Sequence, residues 1–387
     1  MKSFVYRIVV FAFVFFQITG CGNREDRNCT VTKLDAFPIS SGTGEKPQSK
    51  VWQYKGEWRA VLPDETGTWV RLLRKEKWVK ALKLSNSTTV KADVLPVRDV
   101  VHILLFNGEN TTLVSVEYDT GLKRYVKWKQ RPDLVNIELE KEAETATIAV
   151  DGYGRMWLAS DSDSTMNVRW SDSPYDKWSN PVVVAKGVKR DDICAVTSFP
   201  DGNVGIFWSN QNTQRFGFRM HKAGDKPEKW TKDEVPASGS ALNVEKGMAD
   251  DHISFAVSTD GTLFVAVKTS YDTEGYPLIG LLVRRPSGIW DKLYNVDDEG
   301  SRANVLLSEK HKCIFVVYSS YRDHQLVCKI SDMDDIMFSD RRVLIKGKNI
   351  KNSINNVTGP KYNFCDDVVI ISSENGAAKS VKVCCAR

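Results

Sequence analysis

The sequence has no Cys-x-x-Cys pair and only five histidines, so its residues do not predict a zinc site. No motif for another cofactor is present, and we expect none. Charge of one sign is also sparse: the formal net charge is +5, it includes Lys2 and Arg7, and no run of like charge stands out. A balance this weak excludes a nucleic-acid partner, although it is compatible with mild attraction to an anionic glycan.

Long apolar segments are rare as well. Residues 8–18 form an almost wholly apolar stretch, interrupted only by Gln17 and preceded by the positive charges of Lys2 and Arg7. This stretch is too short to span a bilayer as a helix and is typical of a signal peptide. No later segment reaches about eighteen consecutive apolar residues, so we expect no transmembrane helix.

The apolar stretch ends in Ile18-Thr19-Gly20-Cys21, which resembles the bacterial lipobox, where a small residue precedes a cysteine that becomes lipidated. An ordinary cleaved signal with a chance cysteine is the alternative. Lipidation of Cys21 would attach an exported protein to the outer membrane, on its periplasmic side or at the cell surface. The sequence therefore predicts a signal peptide at 1–20, the lipidated cysteine and a tether at 21–30, and one folded domain at 31–387.

The eight cysteines have two interpretations. Export permits disulfides, and Cys29 could meet Cys384 or Cys385 if the two ends of the mature chain pair. Alternatively, most of the cysteines are small buried apolar residues.

A repeated pattern dominates the rest of the chain, at intervals of about fifty residues, which is the range of propeller blades. Each unit opens with an apolar strand, a turn rich in Asp, Asn or Gly, and a second apolar strand. No convincing amphipathic helix appears. The units begin near residues 51, 100, 146, 195, 253, 304 and 353. We therefore predict an all-β, seven-bladed β-propeller of the sialidase-like type, with six or eight blades as alternatives; a β-sandwich would not generate this regular spacing.

Two further segments support the propeller. The last unit lacks a fourth strand, and the segment around Thr32-Lys33-Leu34 could supply it and close the ring, which removes exposed sheet edges. Residues 168–178 resemble a degenerate Asp-box, the turn that joins the third and fourth strands in sialidase-like propellers. This turn is structural, because its Ser and Asp side chains cap their own backbone, and it does not imply sialidase activity.

Several segments together resemble glycoside hydrolase family 145, over nearly all of the mature chain. They are residues 44–52, 155–161, 207–213, 215–219, 247–252 and 268–277. The family consists of seven-bladed propellers, and its activity is that of an α-L-rhamnosidase that removes rhamnose capping glucuronic acid on arabinogalactan side chains. The resemblance implies a monomer whose partner is a plant glycan, either arabinogalactan side chains or another uronate-containing glycan.

One position departs from the family pattern. The resemblance places the family's catalytic histidine, on the posterior face of the first blade, at Gln48. Glutamine cannot act as a general base or hold a proton near neutral pH, whereas imidazole can. The resemblance therefore implies a site that binds sugar without cutting it, and it argues for a glycan ligand more strongly than for the reaction.

A second set of polar residues points to the other face. Asp250-Asp251-His252 precedes the inner strand of the fifth unit, and Asp191-Asp192 occupies the same place in the fourth. Asn210-Gln211 and Tyr271-Asp272 follow second strands. Because alternate strand ends reach the same central rim of a propeller, we expect these groups to converge.

Such a cluster has the groups of a uronate lyase. Arg215, Arg219 or Lys268 could neutralise a uronate carboxylate, and His252 or Tyr271 could take the neighbouring proton. His221 lies with Arg219 one strand later, nearer the edge. The structural alternatives are that the aspartates tie blades together through backbone N–H groups, that His252 is a structural histidine, and that the arginines form surface ion pairs.

Four functions therefore stay open at this point. They are a rhamnosidase-type hydrolase acting at the Gln48 face, a uronate lyase acting at the other face, a non-catalytic glycan-binding lipoprotein, and a protein–protein scaffold.

Overall fold

The computed structural model describes residues 29–44, 46–241, 244–347 and 354–385. Within these ranges the secondary structure is entirely β, with 28 strands and no helix. Accordingly, no helix among the described residues could cross a membrane. The predicted signal peptide and Cys21 lie outside the described residues.

The strands group into seven sheets that follow one another along the chain. The first strand, β1 (Cys29–Pro38), joins the seventh sheet. Blade 1 contains β2 (Val51–Tyr54), β3 (Glu57–Asp64), β4 (Gly67–Arg74) and β5 (Lys77–Ser85). Blade 2 contains β6 (Lys91–Val97), β7 (Val100–Phe106), β8 (Asn110–Asp119), β9 (Arg124–Lys127) and β10 (Val135–Glu138). Blade 3 contains β11 (Ala146–Val150), β12 (Met156–Asp161), β13 (Thr165–Ser171) and β14 (Val182–Lys186).

The remaining blades follow the same plan. Blade 4 contains β15 (Cys194–Ser198), β16 (Val204–Asn210) and β17 (Arg215–His221), with a single bridge from Phe218 to Glu234 in place of a fourth strand. Blade 5 contains β18 (Ile253–Val257), β19 (Leu263–Lys268), β20 (Ile279–Arg284) and β21 (Tyr294–Asp297). Blade 6 contains β22 (Ser301–Ser308), β23 (Cys313–Ser320), β24 (Gln325–Asp332) and β25 (Arg342–Lys346). Blade 7 contains β26 (Asn355–Thr358), β27 (Asp367–Glu374) and β28 (Ala377–Cys385).

The ring closes where β1 pairs antiparallel with β28 and becomes the outer strand of blade 7. The register sets Leu34 opposite Ser380 and Cys29 opposite Cys385, whose Sγ atoms lie 3.1 Å apart. The predicted seven-bladed propeller is therefore confirmed, including the closing role of the segment around Thr32-Lys33-Leu34.

The hydrophobic core is divided among the interfaces between neighbouring blades. Blades 1 and 2, for example, pack Trp52 and Val61 against Val94 and Ile103. Similar clusters lie at the next interfaces, and the largest joins blades 6, 7 and 1. Side chains of a strand point alternately to the two faces of its sheet, and neighbouring blades cover both faces. Many strands are therefore continuous apolar runs in the sequence.

The Asp-box prediction falls where expected, between β13 and β14. Ser171 Oγ donates to the carbonyl oxygen of Lys177 at 2.6 Å, so the side chain holds its own turn. A second turn of this kind, not anticipated from the sequence, joins β24 and β25. There Ser331 Oγ accepts from the N–H of Met337 at 2.7 Å, and Asp332 Oδ1 accepts from the N–H of Asp334 at 2.8 Å.

The inner strands β2, β6, β11, β15, β18, β22 and β26 surround a central channel and run in the same direction along it. We call the end where they begin the near mouth, marked by Lys46, Glu144, Asp191 and Asp251. The end where they finish is the far mouth, marked by Ser198, Thr259, Lys361 and Tyr362.

Candidate functional site at the near mouth

The near mouth is crossed by one lysine. Lys46, in the loop before blade 1, reaches Glu144 before blade 3, with 2.7 Å between Nζ and Oε1, and also bonds Asp251 before blade 5. The Lys46 side chain is only 4% exposed. Burial by itself lowers the pKa of Lys46, but the charges of Asp251 and Glu144 outweigh it, so the pKa lies above its ordinary value. The ammonium therefore stays charged and ties three blades together.

His252 is held between two carboxylates. Its Nδ1 lies 2.8 Å from Asp250 Oδ1 and 2.5 Å from Asp251 Oδ1. Because ionised carboxylates only accept hydrogen bonds, Nδ1 carries the proton. His252 Nε2 is buried and has no hydrogen-bond partner among the described residues. Lys268 completes the group, with its Nζ 2.7 Å from Asp250 Oδ2.

Glu144 is placed by a buried aspartate. Asp161, at the end of β12, is fully buried and accepts from the backbone N–H groups of Glu144 at 2.6 Å and Thr145 at 2.9 Å. Burial raises the pKa of Asp161 to about 7. This buried acceptor fixes the loop, so that the Glu144 carboxylate projects towards Asp191 and Asp251.

The pKa values of two neighbouring carboxyl groups, those of Asp191 and Asp251, are shifted in opposite directions. Partial desolvation, and next the negative charge of Asp251, raise the pKa of Asp191. Burial also acts to raise the pKa of Asp251, but the hydrogen bond from His252 and the charge of Lys46 hold that pKa far below its usual range. Carboxylate oxygens of Glu144, Asp191 and Asp251 all lie within 4.8 Å of one another. An acid beside a permanent carboxylate is the arrangement that general acid–base chemistry uses.

This cluster of three carboxyl groups is accessible from solvent. A cavity of 360 Å³ opens beside it and is lined by Glu142, Ala143, Glu144, Arg190 and Asp191. Asp191 is exposed, in contrast to Asp251. A ligand in this cavity would meet Asp191 first.

Two overlapping sets are spaced closely enough to ligate a cation: the oxygens of Glu144, Asp191 and Asp251, and those of Asp250 and Asp251 with a His252 nitrogen. The ammonium of Lys46 already bonds both Glu144 and Asp251, however, and supplies the positive charge there. No catalytic step is therefore assigned to a metal.

The structure corrects the expectation for Gln48. Its side chain is 1% exposed, and Nε2 donates to the carbonyl oxygen of Ala146 across the channel at 2.8 Å. Gln48 follows Lys46 by two residues, so it belongs beneath the near mouth and not to a separate face with its own sugar site. A polar side chain that spans the closed channel is buried because the inner strands crowd around it.

Other candidates are not part of the cluster. Tyr271 is 2% exposed and packs in the core between blades 4 and 5, so it is not open to a ligand. His221 is 1% exposed, its Nδ1 faces the carbonyl oxygen of Lys229, and its ring packs on Trp157. Arg219 lies on the third strand of blade 4, where it faces Asp233 at 3.9 Å. Sequence position alone could not predict that these side chains lie in or beside the interfaces between sheets.

The blade 4 residues at the near end are mainly structural. Asp192 accepts from the N–H groups of Lys189 and Gln211, and Asn210 Oδ1 accepts from the N–H of Thr213. Arg215 is paired in register with Asn210. Trp208 is 2% exposed and belongs to the core.

Sequence reasoning missed Glu144 and the crossing role of Lys46. A signal was present for Glu144, which stands two residues before β11, as Asp192 stands before β15 and Asp251 before β18. No local pattern indicates Lys46, because its partners are about 98 and 205 residues away.

The channel between the mouths is blocked. Lys361, from blade 7, reaches across to Asp93 in blade 2 and to the carbonyl oxygen of Ile148 in blade 3, at 2.5 and 2.9 Å. Asp93 is fully buried and also accepts from the N–H groups of Ser49 and Ile148. Lys50 lies near this pair with a buried Nζ that has no hydrogen-bond partner among the described residues. Burial lowers the pKa of Lys50 to about 7.

Comparisons with known proteins identify the fold. No protein-family model and no curated protein sequence matches this chain. The polysaccharide lyase Uly1 is similar in structure over 88% of this chain and 90% of its own, with a TM-score of 0.51 and 10% identity. A Trypanosoma rangeli sialidase mutant with trans-sialidase activity is similar over 92% of this chain and 58% of its own, with a TM-score of 0.48 and 10% identity. At such low identity, what the first of these likenesses shows is the propeller fold.

Proposed function

We propose that this protein processes glycans at the near mouth by hydrolysing a glycosidic bond. Asp191 donates a proton to the leaving oxygen while the Asp251 carboxylate attacks the sugar carbon, so the glycosidic bond breaks and a glycosyl ester forms on Asp251. A water molecule, deprotonated by Asp191, then displaces this ester, which releases the sugar and restores both carboxyl groups. The observation that carries this proposal is the divergence of the two pKa values within a group of carboxyls whose oxygens lie within 4.8 Å. Closely spaced carboxyl groups, as opposed to widely separated ones, are typical of glycosidases that retain anomeric configuration.

The remaining residues have supporting roles in this proposal. His252 donates from Nδ1 to Asp251 and keeps it oriented, and Lys46 keeps it ionised. Asp161 positions Glu144 through the backbone. These groups are fixed by burial, so the cost of reorganisation during the reaction is small.

The near mouth carries charges of both signs. The carboxyl groups of Glu144, Asp191, Asp250 and Asp251 lie near the ammonium groups of Lys46, Lys268 and Lys91, and Arg190 lines the cavity beside Asp191. Charge alone therefore does not choose between a neutral and an anionic sugar. Terminal rhamnose is uncharged, and the resemblance to the rhamnosidase family makes rhamnose-capped arabinogalactan the first substrate to assay.

The test is to incubate the full mature chain with rhamnose-capped arabinogalactan and to measure the released rhamnose by chromatography. Asp191→Asn and Asp251→Asn should each lower kcat/KM by about 10²–10⁴-fold. Asp334→Asn, which changes an exposed aspartate paired with Lys312, is the matched control and should change it less than about twofold. Hydrolysis that survives both site substitutions would exclude the proposed roles, and saturable binding without release would identify a binding protein.

A uronate lyase is the second candidate, favoured by the ammonium groups of Lys46 and Lys268 beside His252. A polysaccharide lyase has a similar fold, so lyase activity should be assayed alongside hydrolysis. A lyase leaves an unsaturated uronate that absorbs in the ultraviolet, whereas a hydrolase does not. An absorbance increase on uronate glycans that is abolished by His252→Ala would select the lyase.

We also propose that the protein is exported and anchored through a lipid on Cys21. The basis is the lipobox-like Ile18-Thr19-Gly20-Cys21 after an apolar stretch. Metabolic labelling with a fatty acid should mark the wild type and leave Cys21→Ala unlabelled. Labelling that persists in Cys21→Ala would refute the anchor.

A further inference from the structure

The far mouth contains the larger of the two cavities described for this protein. Its volume is 400 Å³, within the range of small-molecule sites. The ends of four inner strands line it, together with the loops that follow them in blades 4 to 7. The cavity lies on the opposite side of the Lys361 and Asp93 barrier from the near mouth, so it is a separate compartment.

Both charged side chains that line this cavity already have protein partners. Lys361 Nζ donates to Asp93 and to the carbonyl oxygen of Ile148. Glu309 accepts from the N–H of Thr259 at 3.0 Å and also bonds the Thr259 hydroxyl and the Asn363 amide. An anionic ligand would therefore lose solvation without finding a free cation, because Lys361 is paired with Asp93 and Glu309 is itself negative.

The walls combine an aromatic face with hydroxyl groups. Tyr362 is 46% exposed, and Phe199 and Pro200 line the same cavity. Thr197 and Ser198 are half-buried, and within the described ranges neither hydroxyl makes a hydrogen bond to protein. Apolar stacking beside available hydroxyls matches a ring that is apolar on its faces and polar around its edge.

We propose that the far mouth is a second ligand site, which binds an uncharged sugar ring stacked on Tyr362 with its hydroxyls bonded by Thr197 and Ser198. This site is independent of catalysis at the near mouth. A protein with ligand sites at both ends of one ring holds two sugar units of a polymer, or of two polymers, at the same time, which raises the effective concentration of substrate at the near mouth.

Saturation-transfer NMR on the full mature chain tests the proposal. The probes are the methyl glycosides of rhamnose, galactose and glucose, with D-glucuronate as the charged comparator and cyclohexanol as the apolar one. We expect at least one neutral glycoside to bind, with Tyr362→Ala weakening it roughly tenfold and Tyr362→Phe retaining it. Thr197→Val combined with Ser198→Ala should weaken it several-fold.

Matched controls separate this site from the near mouth. Tyr321→Ala removes a tyrosine of nearly equal exposure, 47%, from a different turn and should leave binding unchanged. Asp334→Asn, at an exposed ion pair with Lys312, should also leave it unchanged. Binding that Tyr362→Ala weakens belongs to the far mouth, so failure of the near-mouth hydrolase would not affect this result. The proposal is overturned if no neutral glycoside binds, if glucuronate or cyclohexanol binds as tightly, or if Tyr362→Ala has no effect while the protein stays folded.

Discussion

The two mouths of the channel are built from the same seven inner strands, and acidic residues stand at both ends, yet only one end is strongly charged. At the far end Asp151, Asp201 and Asp260 lie in strand turns and accept from backbone N–H groups of those turns, as Asp151 does from Tyr153 and Arg155. At the near end, Asp250 and Asp251 face other side chains instead. Aspartate composition alone therefore says little about chemistry, because a turn can satisfy the carboxylate completely.

Substitution in the barrier between the two mouths should lower the free energy of unfolding more than any other change considered. Asp93→Ala would leave Lys361 and two backbone N–H groups in the channel without their acceptor, so we expect a loss of about 3–5 kcal/mol of unfolding free energy. Urea denaturation measures this loss. Asp201→Ala, at an exposed far-end turn, should cost about 1 kcal/mol or less, and an equal cost for both variants would contradict the difference drawn between them.

The closure of the ring offers a covalent contrast to the ion pairs of the near mouth. Cys29 and Cys385 are paired in register with their Sγ atoms 3.1 Å apart, so oxidised glutathione should join them, consuming two thiols and releasing two reduced glutathiones. The disulfide should add about 2–4 kcal/mol of stability. Thiol titration and thermal unfolding check this. Cys29→Ser should abolish the gain, whereas Cys194→Ser should keep it.

Lys46 at the near mouth and Lys50 in the channel are only four positions apart, but their pKa values are shifted in opposite directions. Lys46 keeps a raised pKa through its carboxylates, whereas burial lowers the pKa of Lys50 to about 7. Between about pH 7 and its ordinary value near 10.5, the unfolded chain binds more protons at Lys50 than the folded protein, so stability rises with pH across this window. Lys50→Met should remove that rise and stabilise the protein at pH 7, because it removes the cost of burying a partly deprotonated amine in the channel.

Thermal unfolding from pH 7 to pH 10 measures the Lys50 effect. Lys83→Met, at a more exposed position, is the control and should leave the pH slope unchanged. A destabilised Lys50→Met protein would show that the buried amine has a partner that stabilises it.

The smallest effects are expected from the ligand-facing residues themselves. Asp191→Asn and Tyr362→Ala alter exposed side chains, so each should change the unfolding free energy by no more than about 0.5 kcal/mol. Differential scanning calorimetry of both variants tests this expectation. A large loss at either position would indicate a structural role and would weaken the function proposed for that mouth.

The fold was predictable because its signals are local. Asp-Gly turns between apolar strands, such as Asp151-Gly152 and Asp201-Gly202, recur at blade spacing and mark the first hairpin of several blades. Strand β6 escaped notice because Pro96 and Asp93 interrupt its apolar pattern, although Asp93 is buried by a long-range ion pair. The near-mouth cluster was half predictable: Asp250, Asp251 and His252 precede an inner strand. Burial of Gln48 and Tyr271 depends on neighbouring blades, which no local pattern records.

The direction in which the closing strand runs has a consequence for how the molecule faces its surroundings. Strand β1 starts at Cys29 beside the far end of the ring and finishes towards the near end, since it pairs antiparallel with β28. If Cys21 bears the proposed lipid, the eight Cα–Cα steps from Cys21 to Cys29 span at most about 28 Å. The anchor would then leave the rim on the far side, so the acidic mouth would point outward to arriving polymer while the aromatic cavity overlooks the bilayer across a narrow gap.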